Sequence, residues 1–64
     1  MKRFNGEIVR QYRKEHKLSL REMGKLIGVS HQQVANIEAG GNIGVKTFIR
    51  IMNVTGHEPN EFFK

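Results

Sequence analysis

Two helix-start signals on either side of one glycine govern what this chain can fold into. Ser19-Leu20-Arg21-Glu22 has the spacing of a capping box, in which the serine hydroxyl takes the N–H three residues on and the glutamate reaches back. Leu20, Met23, Gly24 and Ile27 then fall at i, i+3, i+4 and i+7, the buried face of a helix only two turns long. Gly28 suits the left-handed position that follows its last turn. Beyond the short connection Val29-Ser30, Ser30 and Gln33 repeat the cap pattern and open another helix, with Val34 and Ile37 on its inner face and its end at Gly40. Met23, Ile27, Val29, Val34 and Ile37 are the expected inward positions of this unit. Gly24 is expected to let the two helices approach at their crossing, since a glycine inside a helix costs about 1 kcal/mol relative to alanine and calls for a packing reason.

The flanking segments read as helices as well. Phe4, Ile8 and Tyr12 recur every fourth residue with Val9 beside them, the apolar stripe of a helix over about residues 5 to 16. Three glycines within residues 40 to 44 make ordering costly, so this stretch is a loop. Val45, Phe48, Ile51, Met52 and Thr55 return to helical spacing, ending at Gly56, and Pro59 fits the first turn of a last short helix holding Phe62 and Phe63. The expectation is an all-α protein of five helices in one domain over residues 1–64, without strands, repeats or linkers.

Size and composition narrow the function. A chain of 64 residues buries only about 60% of its unfolded surface. Ligand pockets typically need roughly 300 Å³ or more, so an enzyme is not expected. Without cysteine there is no disulfide framework or thiolate metal site. His16, His31 and His57 lack the short spacings of zinc ligands, and neither metal nor cofactor is expected. No apolar run approaches the roughly 20 residues that cross a bilayer, and the first residues lack the apolar centre of a secretory signal, so a cytoplasmic location is expected. Eleven Lys and Arg against six Asp and Glu give a net charge of +5. Residues 1 to 38 carry eight of the bases and four of the acids. That excess makes a polyanion the natural partner. The glycine run ending in Gly44-Val45-Lys46-Thr47 is a poor phosphate-binding loop, because an extra residue separates glycine from lysine and no strand precedes it.

Two short helices joined by a turn that contains glycine match the helix-turn-helix unit, whose second helix enters the major groove of DNA. The stretch LSLREMGKLIGVSHQQVANIEAG resembles the helix-turn-helix of the Cro/CI-type (XRE) family of phage repressors and bacterial regulators, and the likeness extends over nearly the whole chain. It implies a compact lambda-repressor-like fold and a sequence-specific transcriptional regulator, a repressor, acting as a homodimer on a double-stranded DNA operator. With Val34 and Ile37 inward, His31, Gln32, Gln33, Ala35 and Asn36 are left outward. Gln and Asn can make bidentate bonds to adenine, and a small Ala can sit near a thymine methyl. The resemblance assigns base reading to His31, Gln32 and Asn36. It brings Gln33 near the backbone, gives backbone contacts to the glycine loop with Asn42, and pairs Arg13 with Glu38 so that helix one is tied to helix three. Lys46, just beyond the loop, and Arg21 and Lys25, on the outer face of helix two, are expected from their positions to reach phosphates, while Arg10, Lys14 and Lys17 stand equally as solvated charges.

Other features depart from that pattern. Leu20 replaces the polar residue that usually begins helix two, Gly24 stands where alanine is commoner, and Thr55 and His57 occupy places that are usually apolar. Dimer contacts are expected from the loop after helix three and from Phe62 and Phe63. The alternative class is a protein-interaction module, an antitoxin subunit or bridging factor built on the same fold, with Phe62, Phe63 and Ile43 as an exposed apolar patch.

Overall fold

The computed structural model describes residues 4–63. Its elements are α1 (Glu7–Glu15), α2 (Leu20–Ile27), α3 (His31–Glu38), α4 (Val45–Thr55) and a single 3₁₀ turn, Pro59–Phe62. Among the described residues there are therefore four α-helices rather than five, because the expected last helix is one 3₁₀ turn. Phe63 lies beyond that turn, drawn into an isolated antiparallel bridge with Phe4. No longer strand forms among the described residues.

The caps act where their spacing places them. Ser19 Oγ accepts from the Glu22 N–H at 3.0 Å and Glu22 Oε1 accepts from the Ser19 N–H at 2.8 Å, closing both halves of the box at the start of α2. The Ser19 N–H, helped by the Ser19 hydroxyl, holds the Glu22 carboxyl below its ordinary pKa. Because this carboxyl releases its proton more readily folded than unfolded, its contribution is complete above the usual glutamate range. It is lost as pH falls through that range to the depressed folded value. Gly28 and Gly56 end α2 and α4 in the left-handed region, both at φ 75°.

Packing departs from the periodicity in three places. Phe4 is outside the first helix, which begins three residues later, and Val9 rather than Phe4 is the fully buried anchor of α1. The reason is Gly6, the residue before α1, which is buried beneath the end of α3. A Cβ there would lie 2.1 Å from the Ile37 carbonyl oxygen and 2.6 Å from that of Glu38. At the end of α1 the chain turns through Lys17 in the left-handed region, φ 54°, with the Leu18 N–H donating to the Arg13 carbonyl. Gly24, finally, is crowded by the turn and not by a helix crossing: a Cβ there would lie 2.4 Å from the Val29 carbonyl oxygen.

The core is formed by Phe4, Val9, Met23, Ile27, Val34, Ile37, Ile51 and Phe62, with Leu20, Val29, Phe48 and Phe63 among the half-buried residues around it. α2 packs on α3 and α4, and α1 packs on α3. At one end the phenylalanines interlock. Phe4 stacks on Phe62 with ring centres 5.6 Å apart, and Phe48 meets Phe62 edge to face at 5.4 Å. Phe62 is completely buried, which removes it from the expected dimer contacts, while Phe63 keeps part of its surface. Thr55 is accommodated by donating its hydroxyl to the Ile51 carbonyl at 2.8 Å, and His57 reaches Glu61 at 3.2 Å.

Replacing Gly6 by alanine forces the α1 start away from two backbone carbonyls that cannot yield like a side chain. It is expected to destabilise the domain by about 1–3 kcal/mol. Urea unfolding with an unchanged slope and a lower midpoint is the expected readout.

Candidate nucleic-acid interface

α3 is a short helix held on one side only. Ser30 Oγ accepts from the Gln33 N–H at 3.2 Å, fixing where the helix begins. Val34 and Ile37 have no exposed surface and pin its inner face to α1 and α2. The 3.6-residue period then leaves His31, Gln32, Ala35 and Asn36 exposed, with Gln33 half-buried at the edge. The outward face thus carries three amides, one imidazole and one methyl, a set rich in paired donors and acceptors and free of bulky apolar groups.

The far end of α3 is clamped by charge. Arg13 Nε donates to Glu38 Oε2 at 2.7 Å and Nη2 to Oε1 at 3.2 Å, while Nη1 donates to the Leu18 carbonyl at 3.1 Å. One guanidinium fork thereby joins α1, the turn after it and the last residue of α3. The Glu38 hydrogen bond raises the Arg13 pKa against a smaller opposing effect of burial. The side chains are 17% and 9% exposed, so water screens this pair only weakly.

Beyond Glu38 the chain folds back on the helix it has left. Gly40 adopts φ 86°, and the Gly41 N–H donates to the Asn36 carbonyl at 2.8 Å. A Cβ on Gly41 would lie 2.9 Å from that same oxygen. The result is a depression of about 530 Å³ lined by Gln33, Asn36, Ala39, Gly40, Gly41 and Asn42. A second depression, of about 310 Å³, is lined by Arg10, Arg13, Leu20, Ala35, Glu38 and Ala39. Both include Ala39, so α3 stands as a ridge with a hollow on each flank.

The residues singled out in the sequence divide as follows. His31, Gln32 and Asn36 share the exposed face of α3, and Gln33, Asn36 and Asn42 meet in the hollow beside the glycine loop. Lys46 is exposed in the first turn of α4, and Arg21 and Lys25 are exposed on α2. Arg13 and Glu38 are in direct contact. Arg10, on the sequence alone as readily a solvated charge as a backbone contact, lies 3.8 Å from Glu7 and borders the second hollow. Leu20, apolar where a polar residue was expected, is half-buried against the core and lines the same hollow. No three His, Cys, Asp or Glu side chains gather as metal ligands would among the described residues, and no helix there is long and apolar enough to cross a membrane.

Comparison with known proteins agrees with this geometry. A family model described as helix-turn-helix matches residues 9–62. The chain is 36% identical over 52 residues to a Thermoplasma volcanium protein named as an HTH-type transcriptional regulatory protein, covering 81% of this chain and 17% of that one. It is 42% identical over 38 residues to a Thermococcus kodakarensis protein of the same description, covering 59% of this chain and 12% of that one. The chain therefore spans less than a fifth of the length of these curated relatives. No solved structure gives a significant match.

Substituting Glu38 by glutamine removes the carboxylate from the guanidinium fork and leaves Arg13 without its counter-charge. A loss of about 1–3 kcal/mol is expected, at or below the range for fully buried pairs because both side chains touch solvent at one edge. Thermal unfolding of Glu38→Gln beside Arg13→Met and the double variant gives the coupling between the two groups, expected to be favourable.

Proposed function

The chain belongs to the helix-turn-helix family, and from that membership we propose that it is a sequence-specific double-stranded DNA-binding transcriptional regulator, a repressor, of lambda-repressor-like architecture. The observation that carries this reading is the outward face of α3. Gln32 and Asn36 can each bond adenine bidentately, His31 lies at the groove-entering end, and Ala35 is small enough to meet a thymine methyl. Amides fixed by a helix whose other side is fully buried are oriented before DNA arrives, which lowers the ordering cost of recognition. The hollow formed by Gln33, the glycine loop and Asn42, with exposed Lys46 nearby, fits the sugar-phosphate backbone, as do Arg21 and Lys25 on α2. The net charge of +5 favours the same partner.

In this reading the protein acts in the cytoplasm as a homodimer on a partly palindromic operator with half-sites about 34 Å apart. The loop after α3, the exposed part of Phe63 and Val45, which is 75% exposed at the start of α4, form the surface for the second copy. Exposed apolar side chains also favour a second reading, an adaptor that binds protein. Leu26 at 48% and Ile49 at 46% exposed are large apolar groups without cover in the described chain.

Selection of bound duplexes from a random pool separates the two readings. A symmetric enriched site supports the regulator, and absence of duplex affinity at low salt leaves the adaptor. On the enriched site, Gln32→Ala is expected to cost roughly 1–3 kcal/mol and to change little on random DNA. Lys46→Ala is expected to weaken all duplexes alike and to flatten the dependence of affinity on salt by about one counterion. Fluorescence anisotropy across a salt series reads both.

A further inference from the structure

Asn5-Gly6 is the one Asn-Gly pair in the chain, and it lies in a closely packed stretch of the backbone. Phe4, just before it, pairs with Phe63 in the bridge that joins the described ends, and the Asn5 N–H donates to the Phe62 carbonyl. Gly6, just after it, is wedged beneath the Ile37 and Glu38 carbonyls. The Phe4 carbonyl also faces Gly40, 3.6 Å from where a Cβ would stand. Residues 4 and 6 thus both brace the end of α3 and the loop that follows, and Asn5 is the link between the two braces.

We propose that Asn5-Gly6 is a site of spontaneous deamidation whose isoaspartyl product detaches the chain ends from α3, making the pair a chemical timer on the domain. The Gly6 backbone nitrogen, unshielded by any Cβ, bonds to Asn5 Cγ; the Cγ–N bond of the carboxamide breaks, and its NH2 takes up the proton that the Gly6 nitrogen gives up and leaves as ammonia. Water then opens the five-membered imide at either carbonyl. One opening leaves aspartate at position 5 with the main chain unchanged. The other routes the main chain through the side-chain carbons and lengthens it by one carbon.

Three local features favour the first step. The Asn5 side-chain oxygen accepts the Glu7 N–H at 3.2 Å, which polarises Cγ and keeps the carboxamide turned toward the start of α1. The Gly6 N–H donates to no other group among the described residues, so its attack breaks no hydrogen bond of the fold. Asn5 is only half-buried, and water reaches it. The two products then differ in effect. Aspartate keeps the spacing between the braces and sets a negative charge at the N-terminus of α1, where the helix dipole favours it. Isoaspartate cannot keep both Phe4 in the aromatic cluster and Gly6 in its slot, so Phe62 loses the ring stacked on it and α3 loses its support. This consequence for α3 is independent of what α3 binds.

The test is to age the whole chain under mildly alkaline conditions below its unfolding temperature and then digest it with trypsin. The peptide Phe4–Arg10 is expected to separate into asparaginyl, aspartyl and isoaspartyl forms. The isoaspartyl fraction of intact protein should melt at least about 4 °C below fresh protein, the shift that roughly 1 kcal/mol produces in a domain of this size. Asn5→Asp, which keeps the normal backbone, is expected to melt close to fresh protein. Asn5→Gln, which forms the corresponding ring far more slowly, is expected to stay unconverted. The proposal is overturned if the native protein stays unconverted while the free peptide of the same sequence converts, or if the isoaspartyl fraction melts with fresh protein.

Discussion

The guanidinium of Arg13 is the point on which the arrangement of helices turns. α2 and α3 are eight residues each, too short to persist alone, so their geometry comes from what they are fastened to. Buried apolar side chains set the depth of α3, but such contacts are non-directional and leave a helix free to slide or roll. The two parallel hydrogen bonds from Arg13 to Glu38 are directional, and the third, to Leu18, ties the same group to the turn that delivers the chain into α2. Because Glu38 is the last residue of α3, the constraint acts at the end of the lever, where a small angular error would move the outward side chains most.

Charge and packing divide the work between the two faces of α3. Its inner face spends no polar group, and no buried side-chain nitrogen or oxygen lacks a partner among the described residues. The outward amides are therefore not needed by the fold, which is the physical content of calling that face a candidate interface. The hollows on its two flanks follow from local causes. On one side Gly40 and Gly41 let the chain double back against Asn36, and on the other the hollow is bounded by Arg10 and Arg13 of α1, by Leu20 and by the Ala35 and Glu38 side of α3.

What could be read from the sequence was what depends on neighbours a few residues away. The Ser19 and Ser30 caps, the left-handed glycine at position 28 and the apolar period of α2 and α3 are local, and each appears within the expected bounds. Contacts between distant segments were less accessible. Nothing near Gly6 announces that its missing Cβ makes room for carbonyls more than thirty residues later, so Phe4 read as part of a helical stripe it does not join. Lys17 closes α1 in a conformation usually signalled by glycine, and its side chain hides the signal. The last helix shrank to one turn because the bridge from Phe4 to Phe63 competes for the same backbone groups. For the outward residues the sequence supplied the list and the period, while the hollow shared by Gln33, Asn36 and Asn42 needed the fold of the glycine loop.

The antiparallel bridge between Phe4 and Phe63 also has a geometric consequence for any larger protein that carries this unit. Entry and exit lie side by side, so the unit can be grafted into a surface loop of a host with both junctions meeting at one spot, and neither host strand has to be stretched. The same closeness allows the old ends to be joined by a brief linker and new ones to be cut elsewhere, with the helix order permuted and the core retained.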